Sequence, residues 1–112
     1  MSTVEAIIGN HLQAFFNKSI DGVVADYAED AVLMIQTGPL HGVAAIRAFF
    51  TQFIETLPPG FLESFKMHKQ EFVGDMGYIV WDAAPWVRFA TDTFFVSDGK
   101  IRMQTFAAYS PS

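Results

Sequence analysis

Cysteine is absent from the 112 residues, which excludes disulfides, thiolate nucleophiles and cysteine-built zinc sites together and leaves the redox compartment unread. Positive charge is scarce. Seven Lys and Arg stand against twelve Asp and Glu, for a formal net charge of −5, and the basic residues form no cluster. The counterion release that drives nucleic-acid binding therefore has no source, and no nucleic-acid partner is expected. The histidines His11, His41 and His68 lack the close spacing of metal ligands, no glycine-rich phosphate cradle is present, and no Ser or Thr sits in a nucleophile elbow. Neither a metal nor another cofactor is expected. No apolar run approaches ~20 residues, and Met1-Ser-Thr-Val-Glu5 lacks the basic and apolar stretches of a leader. These absences predict a soluble, cytoplasmic protein without a membrane segment.

Apolar residues, by contrast, make up 51% of the chain and include twelve Phe, enough for a large core or for a core with an apolar cavity. The length fits one domain, residues 1–112, with a radius of gyration of roughly 13 Å. Val4, Ile7, Ile8, His11, Leu12, Phe15 and Phe16 recur at helical spacing, and Ser2 with Glu5 makes a capping box, so a first helix is expected over about 3–17. Asp21 is the expected cap of a short second helix carrying Val23, Val24 and Tyr27 and ending near Asp30, before a buried strand at 31–35. A tight turn then leads to a long helix over about 43–57, closed by Pro58-Pro59-Gly60. The remainder reads as strands at 61–73, 78–84, 86–97 and 100–109, separated by Gly74-Asp75, Pro85 and Asp98-Gly99. Helices followed by hairpins predict an α+β fold with helices on one face of a curved sheet.

Two stretches carry a resemblance. Tyr27-Ala-Glu-Asp30 running through a strand and turn into Gly42-Val-Ala-Ala-Ile-Arg-Ala-Phe-Phe50, and the terminal Ala90-Thr-Asp-Thr-Phe-Phe-Val-Ser-Asp-Gly-Lys-Ile-Arg-Met-Gln-Thr-Phe106, are similar to the nuclear-transport-factor-2-like superfamily. That superfamily includes SnoaL-like polyketide cyclases and ketosteroid isomerases. The resemblance implies a cone-shaped, cystatin-like fold in which three N-terminal helices pack on a strongly curved, mostly antiparallel sheet and enclose a pocket.

Asp92 is the sharpest candidate for chemistry. It lies mid-strand with Ala90 and Phe94 on its own face, where a desolvated carboxyl has a raised pKa; the alternative is an ordinary ion pair with Arg88. Its position matches an isomerase aspartic acid that donates a hydrogen bond to a developing oxyanion. His11 matches the isomerases' oxyanion tyrosine, and a histidine there either shuttles protons with Asp92 or is a buried, hydrogen-bonded core residue. The isomerases' base carboxylate falls at or beside Ile35, between Met34 and Gln36, where no carboxylate occurs, so steroid proton abstraction by that route is not expected.

Tyr27 and Phe50 match pocket positions of the isomerases, Met34 and Gln36 are counted with the wall as neighbours of the vacant base position, and Trp81 is added to the cavity wall for its size. Register decides the rest. A two-residue Asp98-Gly99 turn sets Met103 and Thr105 beside Asp92, whereas a three-residue loop sets Gln104 and Phe106 there, as the superfamily pattern favours. Two functions remain open: binding or transforming a small apolar ring-containing molecule by cofactor-free acid/base chemistry (isomerase, cyclase, lyase or hydrolase), or a non-catalytic homodimeric adaptor with a vestigial pocket. In both, the resemblance and the uncovered sheet face, with Phe89, Thr91, Thr93 and Phe95, point to homodimerisation.

Overall fold

A computed structural model describes residues 3–110. The first apolar stripe becomes α1 (Thr3–Phe16), burying Val4, Ile7, Ile8, His11 and Phe15; the expected capping box involves Ser2 and lies outside the described residues. The chain reverses through Lys18, whose φ is 57°, into α2 (Ile20–Ala25). Ser19, not the expected Asp21, caps this helix by accepting a hydrogen bond from the Gly22 amide at 3.1 Å. Asp21 is instead turned outward, where its carboxylate meets Arg47 at 2.9 Å.

The second helix stops earlier than its sequence pattern predicts, and β1 spans Tyr27–Ile35. The cause is tertiary. The Ala25 carbonyl accepts from Lys100 Nζ and the Asp26 carbonyl from the Ile101 amide, both at 2.8 Å, so the last strand captures the carbonyls that would have continued the helix. The turn expected next is a short strand, β2 (Gly38–His41), paired antiparallel with β1. Gly42, at φ 89°, donates its amide to Ala31 and opens α3 (Val43–Glu55), which buries Ile46, Phe50 and Ile54.

Beyond the prolines the sheet begins later than expected. Gly60 adopts the left-handed conformation and Phe61–Ser64 forms one helical turn, α4, which seats the buried Phe61 against Trp81 and Trp86 at 6.4 and 6.2 Å. The strands β3 (Phe65–Val73), β4 (Met76–Ala83), β5 (Val87–Ser97) and β6 (Lys100–Tyr109) follow. The sheet order is β2-β1-β6-β5-β4-β3, antiparallel throughout except for the parallel β1–β6 pair.

The last hairpin resolves the register question in an unexpected way. Ser97 pairs with Lys100 across a two-residue Asp98-Gly99 turn, both residues at positive φ, the geometry that suits a twisted hairpin. A bulge then leaves Arg102 unpaired between Val96↔Ile101 and Phe95↔Met103, so Phe94 faces Gln104 and Asp92 faces Phe106. The short turn was expected to bring Met103 and Thr105 to Asp92; one extra residue in β6 exchanges the faces instead.

Alternation gives the sheet two unlike sides. Leu33, Ile79, Ala90, Phe94 and Gln104, each at most 1% exposed, point towards the helices. The opposite side carries Phe89, Phe95, Met103 and Tyr109 at 38–62% exposure. Among the described residues no helix is long and apolar enough to cross a membrane.

Candidate functional site

Sheet curvature holds β4, β5 and β6 away from α1 and α3, and a cavity remains between them. His11, Leu12 and Phe15 face it from α1, and Phe49, Phe50 and Phe53 from α3. The sheet supplies Leu33, Phe65, Ile79, Trp81 and Asp92, with Phe94, Gln104 and Phe106 completing the wall. The free volume is about 40 Å³, room for roughly three waters and well short of the ~150 Å³ cavity that admits benzene. A ring-bearing ligand therefore requires Phe49, Phe53 and Phe106, all half-buried, to move apart.

Asp92 is 8% exposed and sits in a chain of neutral donors. Its Oδ1 accepts from Trp81 Nε1 at 2.8 Å and its Oδ2 from Gln104 Nε2 at 2.9 Å. Gln104, itself 1% exposed, accepts at Oε1 from the Tyr27 hydroxyl. The carboxylate orients the amide: ionised Asp92 can only accept, so Gln104 turns its nitrogen to Asp92 and its oxygen to the Tyr27 hydroxyl. Burial raises the Asp92 pKa to about 6, partly offset by the hydrogen bonds from Trp81 and Gln104 that favour the ionised form. Arg88, the alternative partner, is exposed on the bulged start of β5.

His11 has a different setting. Tyr27, Phe50 and Phe94 surround its ring edge-on, each at 5.6 Å, and its Nδ1 is buried without a hydrogen-bond partner. Burial lowers its pKa to about 4, against a smaller upward push from a backbone hydrogen bond to Val23. The imidazole is therefore neutral at pH 7. The expected dyad is not formed, because both Asp92 oxygens are bonded to Trp81 and Gln104 while His11 packs among rings.

The other expected wall residues divide. Phe50, Trp81, Gln104 and Phe106 line the cavity. Tyr27 does not; it stands behind the lining residues Gln104, His11 and Phe50, hydrogen-bonded to the first and packed on the other two. Met34 and Gln36 were assigned to the wrong face. Leu33 is the inward residue of β1, Met34 projects from the outer side at 42% exposure, and Gln36 lies in the β1–β2 turn, where its side chain accepts from the Ala108 amide. Phe49 and Phe53 of α3 were legible as an apolar helix face but not as a cavity wall, and Phe65 and Phe94 carried no sequence signal separating wall from core. Among the described residues no group of His, Cys, Asp and Glu could hold a metal.

No curated protein matches the chain. Solved structures do. A SnoaL-like protein from Burkholderia thailandensis superimposes with a TM-score of 0.80 at 14% identity, over 96% of each chain. A nuclear-transport-factor-2-like protein from Burkholderia xenovorans gives 0.79 at 18% identity, over 98% of this chain and 85% of the other. A protein from Sinorhizobium meliloti named as a proposed polyketide cyclase gives 0.75 at 17% identity, over 95% of this chain and 99% of the other. At such identities the likeness carries the fold alone. The sequence pattern of the SnoaL-like domain, however, matches residues 8–103, which takes in α1, α3, Asp92 and most of the sheet. The chain thus belongs to the SnoaL-like domain family, and it shares its fold with nuclear-transport-factor-2-like proteins.

Proposed function

We propose that the protein binds a small, mostly apolar molecule, ring-bearing where the aromatic rim yields, and acts on it through Asp92 by acid/base chemistry without a cofactor. One observation carries this reading: a buried carboxylate, oriented by Trp81 and Gln104, faces an otherwise aromatic cavity. With a pKa of about 6, Asp92 has both forms populated near neutrality, the condition for giving or taking a proton. His11 stays neutral and serves as a hydrogen-bonding group, not as a charged acid. Leu33, the inward residue of β1, brings no second carboxylate, so Asp92 must work as the single acid/base group.

Trp81 reports directly on the site, because its indole N–H is bonded to Asp92. Titration with small cyclic compounds is expected to change Trp81 emission and raise the melting temperature in the unaltered protein. Asp92→Asn is expected to fold, since rotation of the Gln104 amide and the Tyr27 hydroxyl restores complementary donors and acceptors, but to lose the response by about tenfold or more. A set of compounds that leaves both fluorescence and melting unchanged defeats the reading.

We also propose that the outer sheet face forms a homodimer. Phe89, Phe95, Met103 and Tyr109 share that side with the half-buried Thr91 and Thr93, an apolar strip of the kind that marks an interface. Sedimentation at micromolar concentration should give twice the 12.5 kDa chain mass, and Phe95→Asp should return it to one chain. A single-chain mass for the unaltered protein overturns the proposal.

A further inference from the structure

We propose that the ligand of this cavity is a small organic cation, an alkylammonium of at most about five or six non-hydrogen atoms, with its charge against Asp92 and its carbons against the surrounding rings. The inference rests on the preceding reading of the cavity as a ligand site and adds the charge and size of what enters.

The charge follows from what surrounds Asp92. Its two partners, Trp81 and Gln104, are neutral donors, and none of the seven Lys and Arg lines the cavity. From α1 the facing titratable group is His11, held neutral; from β1 it is Tyr27, behind Gln104, whose pKa burial and Asp92 push further up. The walls from α3 and β4 are apolar or indole. A carboxylate so enclosed has no counter-charge beside it among the described residues, and it is relieved either by a proton or by a cation from outside. With a pKa of about 6, the proton has largely left at pH 7. An ionised Asp92 has no hydrogen to offer a carbonyl, and it repels anions, as does a chain of net charge −5.

The walls suit the same ligand. Eight of the fourteen lining residues are Phe or Trp, whose ring faces attract positive charge most strongly where water is excluded. Size sets the remaining limit. About 40 Å³ of free space holds roughly three waters, so even a five-atom ring amine enters only as Phe49, Phe53 and Phe106 move apart, and bulkier amines demand more opening.

The test compares two isosteric five-membered rings, pyrrolidinium and tetrahydrofuran, titrated to high millimolar concentration while the Trp81 indole resonance is followed by NMR. Pyrrolidinium should bind about tenfold or more tighter than tetrahydrofuran at pH 8. Its affinity should fall as pH drops through 6, and Asp92→Asn should remove the preference. Should that variant fail to fold, the pH dependence of the unaltered protein decides alone. Equal or tighter binding of tetrahydrofuran, or pyrrolidinium binding that is flat from pH 8 to 5, overturns the cation assignment and leaves the ligand site standing. Binding of neither compound overturns both.

Discussion

Asp92→Asn is expected to make the fold acid-sensitive, losing about 3 kcal/mol of stability between pH 7 and pH 4, while the unaltered protein changes by less than about 1 kcal/mol. Two buried groups of opposite sign produce this. His11 has its folded pKa lowered from 6.5 to about 4, so the unfolded chain binds the extra proton and stability falls as pH drops through that window. Asp92 has its folded pKa raised from 3.8 to about 6, so the folded chain binds the extra proton and stability rises over nearly the same window, by about 2 kcal/mol. The contributions nearly cancel. Removing the carboxylate leaves the histidine unopposed. His11→Leu should do the reverse and gain about 2 kcal/mol on acidification. Asp82, whose pKa its exposed partner His68 lowers, begins to lose its contribution only near the ordinary carboxylate pKa, at the acid end of the window, and does so equally in all three proteins. Urea unfolding at pH 4, 5.5 and 7 on the three proteins checks the pattern; parallel slopes in all three would show that neither group is perturbed as described.

Phe94→Ala is expected to cost about 3–5 kcal/mol, the largest loss from any single substitution considered. Phe94 is fully buried on β5, two residues from Asp92, with its ring against His11 at 5.6 Å. Its truncation cannot be healed by collapse, because the space left behind opens into the existing cavity instead of being filled by neighbours. A domain with a few to fifteen kcal/mol in hand would survive with a much lower melting temperature. Phe89→Ala, on the outer face at 55% exposure, is the matched control and should shift the stability of the single chain by about 0.5 kcal/mol or less. Equal losses at the two positions would contradict the inward and outward assignment of β5.

Asp92 could be found in the sequence because an acidic residue between Ala90 and Phe94 breaks the inward apolar pattern of a strand, a local signal that needs no partner. Gln104 could be placed only conditionally. Its face depends on the Arg102 bulge, and nothing in Lys100-Ile-Arg-Met-Gln104 distinguishes a bulged strand from a regular one. Met34 and Gln36 show the same weakness in β1: Met34, as a neighbour of Ile35, takes the opposite face, and Gln36 lies already in the turn, which becomes clear only once the strand's inward residues and its end are known. The helical reading of Tyr27 failed for a different reason. The carbonyls that end α2 are taken by Lys100 and Ile101, some 75 residues away, and local propensity cannot anticipate a competitor so distant. The neutrality of His11 was also out of reach, since it follows from three rings contributed by β1, α3 and β5.

The placement of β6 between β1 and β5 means that the keystone of the sheet is the last of its six strands to be synthesised. Until it is in place, β1 has no neighbour on that side, and the sheet on which α1 and α3 pack stays in two separate pieces. Such distant pairings are slow to form. The nascent polypeptide thus passes through a sticky, half-built stage that ends only when β6 joins the two pieces, which is when a helper that shields hydrophobic surface would matter most.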